Sequence, residues 1–388
     1  MNTPYSGFQI AAYLGTRPNV PKIWTLQRAL KQLAASNSTR GVEWSTIHSQ
    51  QHTKASLGRD ICEDLGVTVD RWLDLEYWTT DGGQVAALIK AIEADLINRR
   101  PSLVVAVGDV NTALACAIAS ARLRIPLVHL EAGLRSTVIT GEEVNRRIIS
   151  SCTQFHLTTT VRARENLLRE GVPQSQIWVV GNPMAECFLH FASQTDDHAI
   201  LGGLGLEGRT YTLATVHKWD TLRMTPAPWD LILSLAQSRL VIMPCHPTAR
   251  KHLADADLNL LQSPGLMVMD PLPYRVFGAL LRGAEAVVTD SDGVQEESAI
   301  AGVLCLSLVD EIARPEILAG GGHLPRTQWI RDPSAAIDRF SGRRSSAAPE
   351  MWDQQVSARI AGALAEIVKS IDPAVSQLTP IAARTGNG

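Results

Sequence analysis

Short apolar runs alternate with longer stretches of helical spacing along most of the chain. Residues 8–14 are apolar and predict a first strand, which breaks at Gly15-Thr16-Arg17-Pro18 before a helical pattern reaching about Ala35. Residues 44–48 predict a second strand, followed by Ser49-Gln50-Gln51-His52. Residues 84–99 have the spacing and composition of a helix. Residues 103–107 are an apolar β-type run ending at Gly108-Asp109, and 111–123 return to helical spacing. Residues 126–130 predict a strand ending at Glu131-Ala132-Gly133, residues 143–151 and 162–170 predict helices, and 177–180 a strand before Gly181-Asn182-Pro183. Strands and helices alternating at this pitch imply a mostly parallel, doubly wound sheet.

Glycine and charge accumulate over residues 196–208, and the pattern then restarts. Residues 211–216, 239–243 and 266–269 predict strands that end at His217, at His246 and at Asp270-Pro271-Leu272-Pro273. The stretch 287–306, VVTDSDGVQEESAIAGVLCL, predicts strand, tight polar loop, helix and strand, with Gly302 ending the helix. Residues 341–349 suit a surface loop, 351–370 a terminal helix, and the last dozen residues a frayed end. The expected fold is α/β, with two Rossmann-like doubly wound domains. Residues 1–181 form the first, with helix 351–370 packing back on it, and residues 182–350 the second.

Arg17, Asp109, Glu131, His217, His246 and Ser291 all follow the carboxyl ends of predicted strands. Open α/β sheets bind ligands there. With two such domains facing each other, these residues line one interdomain cleft. The loop before helix 294–301 also presents free backbone N–H groups at the positive end of a helix, which suits a phosphate. Each residue has a plainer reading as well. Asp109 can cap the helix that follows it. Glu131 can pair with His129. Glu142, Glu143 and Arg146 have the spacing of helix-surface pairs. His217 and His246 can be hydrogen-bonded core or cap residues, and 287–306 can be an ordinary βα turn.

Composition narrows the classes. A chain of 388 residues has room for two domains, and 45% hydrophobic with 19% charged residues supplies a globular core. The net charge of -3 offers no electrostatic case for nucleic acid. Cys62, Cys116, Cys152, Cys187, Cys245 and Cys305 lie far apart without a CxxC pair, which argues against a disulfide framework or zinc cluster and fits a reducing cytoplasm. The N-terminus lacks the basic start and apolar core of a signal peptide. The most membrane-like segment, 103–121, carries Asp109 and Asn111 and is better explained as a buried strand and helix.

Several motifs, taken in order, resemble the UDP-N-acetylglucosamine 2-epimerase family, whose members have the two-domain glycosyltransferase-B fold. Gly15-Thr16-Arg17-Pro18 with Lys22 resembles the family's first loop, and Gln51-His52 its second. Gly108-Asp109 resembles its GD motif, and His129-Leu130-Glu131-Ala132-Gly133-Leu134-Arg135 its most recognisable string. Glu142-Glu143-Val144-Asn145-Arg146 resembles its EExNR element, and Gly181-Asn182-Pro183 its domain junction. His217 and His246-Pro247 stand where the family has histidines. Thr289-Asp290-Ser291 through Gln295-Glu296-Glu297 is similar to its nucleotide loop, and Arg314-Pro315-Glu316 to its RPE motif. The resemblance covers roughly residues 8–325.

The resemblance implies a non-hydrolysing epimerase that eliminates UDP from the sugar and re-adds it after C2 has changed configuration. Loss of the C2 proton accompanies loss of UDP and leaves 2-acetamidoglucal. Asp109, Glu131 and Glu142 are then the proton-transfer carboxylates, with His217 assisting departure of the phosphate. Arg17 offsets charge on the leaving diphosphate, Ser291, Asp292 and Gly293 surround the phosphates, Glu297 accepts from the ribose hydroxyls, and Arg314 supports the same site. Lys22, Gln51, His52, Arg146 and His246 complete the substrate-binding set. Neither nicotinamide nor a metal is implied, and a cytoplasmic homodimer acting on a UDP-sugar is expected.

The chain also departs from the family. The usual GTRPE reads Gly15-Thr16-Arg17-Pro18-Asn19. The expected HRxEN reads His217-Lys218-Trp219-Asp220-Thr221. Asp292 replaces a glycine, and the segment between Arg135 and Glu142 is short. A hydrolysing epimerase releasing N-acetylmannosamine, a glycosyltransferase of the same fold, and an inactive nucleotide-sugar-binding paralogue are the alternatives. The transferase does not need three carboxylates around C2.

Overall fold

In the first sheet, small and β-branched apolar runs form strands buried on both faces, as parallel strands covered by helices must be. The computed structural model describes residues 7–37, 39, 41–51, 55–216, 221, 224–245, 263–312, 314–340 and 348–371. They divide into two units. One holds the described residues up to Glu186 and those from Gln355 onward; the other is Cys187–Gln354. The readings made for His52, His217, His246, residues 218–220, most of loop 341–349 and the last dozen residues lie outside the described set.

The first unit has strands β1 (Gln9–Leu14), β2 (Glu43–His48), β3 (Arg71–Trp72), β4 (Leu103–Val107), β5 (Leu127–Ala132), β6 (Phe155–Thr158) and β7 (Ile177–Val179). They pair in parallel in the order β3-β2-β1-β4-β5-β6-β7. Helices α1 (Val20–Ala35), α2 (Ala55–Leu65), α3 (Asp81–Arg99), α4 (Asn111–Leu123), α5 (Gly141–Cys152), α6 (Val161–Arg169) and α7 (Pro183–Ala192) connect or follow them. One face buries Tyr13, Leu88, Ile92, Leu96, Val104, Ala106 and Cys116 beneath α3 and α4. The order reverses between β1 and β4. In a doubly wound sheet that reversal opens a crevice at the carboxyl ends of the two strands. The loops after β1 and β4 carry Arg17 and Asp109.

The terminal helix (residues 356–370) packs on α1. The Ser357 N–H and hydroxyl donate to the buried Glu186 carboxylate, the hydroxyl at 2.7 Å. A carboxylate at a helix N-terminus is favoured by the helix dipole. The helix starts at Val356 rather than at 351, because Met351 has φ 65 and cannot lie in a right-handed helix.

The second unit contains α8 (Asp197–Gly203), β8 (Thr212–Thr215), α9 (Pro228–Ala236), β9 (Val241–Pro244), β10 (Leu266–Met269), α10 (Tyr274–Gly283), β11 (Ala286–Thr289), α11 (Asp292–Ala301), β12 (Leu304–Ser307), β13 (His323–Leu324) and α12 (Pro333–Phe340). The helix of residues 356–370 is numbered α13. The second sheet is also parallel, in the order β10-β9-β8-β11-β12-β13. Trp229, Ile232, Met243, Trp329 and Ile337 fill one cluster, and Tyr211, Leu213, Leu280 and Val287 another. This order reverses between β8 and β11, and Ser291 follows β11. Both units are thus Rossmann-like and doubly wound. Among the described residues, no helix is long and apolar enough to cross a membrane.

Candidate active site

The loop after β1 is held by its own sequence. Asn19 is buried, and its Oδ1 accepts from the Gly15 N–H (3.4 Å), the Thr16 N–H (3.3 Å) and the Thr16 hydroxyl (3.0 Å). Gly15 sits so close to α4 that an added Cβ would lie 2.0 Å from Thr112 Oγ1. Gln51, after β2, accepts from the Thr112 N–H (3.0 Å) and hydroxyl (2.9 Å), and Ser49 Oγ lies 2.6 Å from that hydroxyl. Gln51 therefore ties the loops together from a buried position. Arg17 is half-buried. Burial lowers its pKa, opposed by Asp60 and Asp64 of α2.

Glu131 lies inside β5, one residue before the strand ends, rather than beyond it as the sequence pattern implies. The register with β6 skips it, pairing Leu130 with Leu157 and Ala132 with Thr158, and its φ is 72. It is a bulge residue in a conformation that costs a non-glycine residue about 1–2 kcal/mol. Strain of this kind gathers at functional sites. The bulge turns the Glu131 carboxylate onto Lys22 of α1, with which it forms a buried ion pair. The expected alternative partner, His129, instead bonds the Gly108 carbonyl through Nε2 at 2.7 Å. Gly108 closes the group. Its φ is 72, and a Cβ there would lie 3.2 Å from Asn19 Nδ2, 3.5 Å from Glu131 Oε2 and 3.7 Å from Lys22 Nζ.

Asp109 does not cap α4. The cap position is Val110, without a side-chain bond. The Asp109 carboxylate instead accepts from Arg146 Nε (2.8 Å) and Nη2 (2.7 Å). Asn145 Nδ2 donates to the Asp109 carbonyl (2.8 Å) and to Asn111 Oδ1 (3.0 Å). The two acids that open α5 part company. Glu143 is buried and holds Arg147 (2.8 Å), Arg146 (3.6 Å) and the Ser136 N–H (2.9 Å), whereas Glu142 is exposed. The helix-pair spacing thus belongs to Glu143. Asn19 and Asn145 carry no role that their sequence motifs assign, and Glu143 is buried rather than part of a surface pair; for Asn145 and Glu143 the signal is polarity on the buried face of α5.

In the second unit, Ser291 caps α11. Its Oγ accepts from the Val294 N–H (3.4 Å), and its own N–H donates to Thr289 Oγ1 (3.0 Å). Asp292 and Gly293 occupy the first turn, half-buried. Gln295 Oε1 lies 3.1 Å from His323 Nε2, and Glu296 pairs with the buried Arg314. Arg314 therefore supports this helix from β12's far loop. Glu297 is buried. Desolvation pushes its carboxyl up to about 7, the nearby Glu296 adds to this, and the Tyr274 hydroxyl and Arg282 oppose it.

The first unit thus gathers Arg17, Lys22, Gln51, Asp109, Glu131 and Arg146 around the β1/β4 reversal. The second places Ser291, Asp292, Gly293, Glu297 and Arg314 around one helix start. A family model described as UDP-N-acetylglucosamine 2-epimerase matches residues 34–365. The UDP-N-acetylglucosamine 2-epimerase of Methanocaldococcus jannaschii is 29% identical over 328 residues, covering 81% of this chain and 87% of that protein. The UDP-2,3-diacetamido-2,3-dideoxy-D-glucuronate 2-epimerase of Pseudomonas aeruginosa is 28% identical over 328 residues, covering 81% and 87%. The crystal structure of the M. jannaschii enzyme in complex with UDP-GlcNAc and UDP superposes with a TM-score of 0.81 at 27% identity, covering 92% of this chain and 100% of that one.

Proposed function

The chain belongs to the UDP-N-acetylglucosamine 2-epimerase family, and from that premise we propose that it is an isomerase interconverting UDP-N-acetylglucosamine and UDP-N-acetylmannosamine without net hydrolysis. The observation that carries this reading is the bulged, buried Glu131, held by Lys22 at the reversal of the sheet and close to Gly108-Asp109. Inversion at C2 needs a base to take the proton from one face and an acid to return it to the other. Glu131 and Asp109 sit in different electrostatic settings, one against an ammonium in the interior, the other against a guanidinium nearer solvent. Such a difference suits separate roles. Glu142, exposed at the start of α5, is the third carboxylate, and His217 assists departure of the phosphate. Arg17 and the start of α11 meet the negative charge of UDP. Lys22, Gln51, His52, Arg146 and His246 hold or frame the sugar. Ser291 and Gly293 take the phosphates beside Asp292, Glu297 the ribose, and Arg314 keeps that helix in place.

A homodimer is the assembly we infer, with exposed Val138, Ile139, Val144 and Ile148 near the start of α5 as the apolar face that supports it. Sedimentation equilibrium checks it, and a monomer at micromolar concentration would remove it. A reducing cytoplasm fits six cysteines that form no disulfide. The deciding experiment for the reaction is incubation with UDP-N-acetylglucosamine in deuterated water, followed by NMR. Deuterium at C2 of the UDP-sugar is the expected result. Free N-acetylmannosamine indicates the hydrolysing reaction, and binding without exchange indicates a non-catalytic protein.

A further inference from the structure

Strand β5 touches the candidate chemistry at three successive positions. Leu130 O accepts the Gly108 N–H at 3.0 Å. The His129 ring holds the Gly108 carbonyl through Nε2 at 2.7 Å. Glu131 then leaves the pleat in the bulge. Gly108 therefore has both of its backbone polar groups fixed by the same strand that presents Glu131, and Asp109 is the next residue along. The clamp ties the backbone of the Gly108-Asp109 turn to β5, while Arg146 and Asn145 hold Asp109 from α5 and Lys22 holds Glu131.

From this geometry we propose that His129 is a positioning residue, whose Nε2–H anchors the Gly108-Asp109 turn at a fixed distance from the Glu131 carboxylate. The inference rests on the epimerase reading for its activity readout, but not for its structural one. His129 is fully buried, and among the described residues its Nδ1 has no hydrogen-bond partner. A neutral ring with one acceptor in reach carries its proton on Nε2. Burial holds the ring neutral by pulling its pKa down to about 4. A charged ring would leave an N–H without an acceptor in the interior. His129 lies beside His156 in the register of β5 with β6.

Two substitutions separate donor from volume. His129→Gln keeps an N–H donor at about the reach of Nε2, and His129→Met keeps the length without the donor. The expected result is that kcat for C2 exchange falls roughly 10²-fold in the methionine variant, as misplacement of a reacting group by an ångström does. The glutamine variant recovers most of that loss, and calorimetry gives both the wild-type affinity for UDP. Equal kcat in the two variants, or a loss confined to KM, overturns the proposal. Ring-nitrogen NMR of the wild type supplies a readout that needs neither variant nor turnover. An Nε2–H tautomer is expected, and an Nδ1–H tautomer or a protonated ring at neutral pH overturns the proposal. Wild-type protein without C2 exchange would sink the epimerase reading, while the tautomer still decides the role of His129.

Discussion

At the scale of single residues, the site spends conformational freedom to aim two carboxylates. Glu131 accepts a left-handed backbone, Gly108 supplies one without a side-chain penalty, and Lys22 gives up hydration to pair with Glu131. Substituting Glu131→Gln keeps the shape and removes the group proposed to carry the proton; Asp109→Asn does the same beside Arg146. Each variant is expected to lose C2 exchange by ~10²–10⁴. UDP affinity should stay near the wild type, because neither Glu131 nor Asp109 is among the groups proposed to meet the diphosphate. If exchange persists in both variants, neither residue moves the proton. A second residue-scale expectation concerns Gly15. An alanine Cβ placed 2.0 Å from Thr112 Oγ1 forces the loop and α4 apart. Overpacking of this kind costs about 1–3 kcal/mol, so Gly15→Ala should lower the denaturation midpoint, and an unchanged midpoint would mean that the loop relaxes freely. Gly15 and Asp109 were legible from sequence because strand ends are legible. The bulge at Glu131 was not, since a one-residue skip leaves no mark on the apolar pattern of β5.

At the scale of elements, long periodic segments were read nearly to their ends. α4 spans the residues read for it, and α1 ends where its pattern ends. Elements with weak patterns were missed. α2 carries Gly58 inside it and Gly66 after it, β3 has two residues, and α10 begins after a proline-rich run that looks like a turn. α11 was read from its cap and closing glycine, and it frames a prediction about Asp292. As the first helical residue, Asp292 gains ~0.3–1 kcal/mol from the helix dipole when the site is empty. With a diphosphate bound at ~5 Å and an effective dielectric of about 20, each like-charge pair costs roughly 3 kcal/mol before screening. Repulsion is the larger effect. Asp292→Gly should therefore tighten UDP binding severalfold in chelator, measured by calorimetry. A magnesium ion bridging carboxylate and phosphate would reverse the order when magnesium is added. Equal affinity of the two proteins in both media would show that the side chain faces away from the phosphates.

At the scale of the whole molecule, the two units share an architecture, and their buried titrating groups predict different responses to acid. His129 and His156 of the first unit are buried in its sheet, with pKa values lowered by burial to about 4 and about 3. Asp109, Glu131 and Arg135 face His129, while His129 and Arg135 face His156. A histidine whose folded pKa is depressed contributes stability above its unfolded value near 6.5. That stability is lost as pH falls toward the folded pKa, because the unfolded chain binds the proton first. Between about pH 7.5 and about pH 5 each such group removes roughly 2 kcal/mol. Among the described residues, the second unit has one resolved group of each sign in this range. His323, lowered by burial to about 4, acts as the other two do. Glu297, raised to about 7 by desolvation, does the opposite, since its folded form takes up a proton before the unfolded chain does. Its contribution is present at low pH and lost as pH rises through about 7, so acidification over the same interval returns about 2 kcal/mol. The two terms of the second unit nearly cancel, and those of the first add. Urea titrations at the two pH values, read by pulsed hydrogen exchange so that peptides from each unit report separately, should show the midpoint of the first unit falling while that of the second holds. Glu297→Gln should make the second unit acid-sensitive as well, because the compensating proton uptake is gone and His323 remains. Equal losses in both units of the wild type would mean that Glu297 is already ionised in the folded protein at neutral pH.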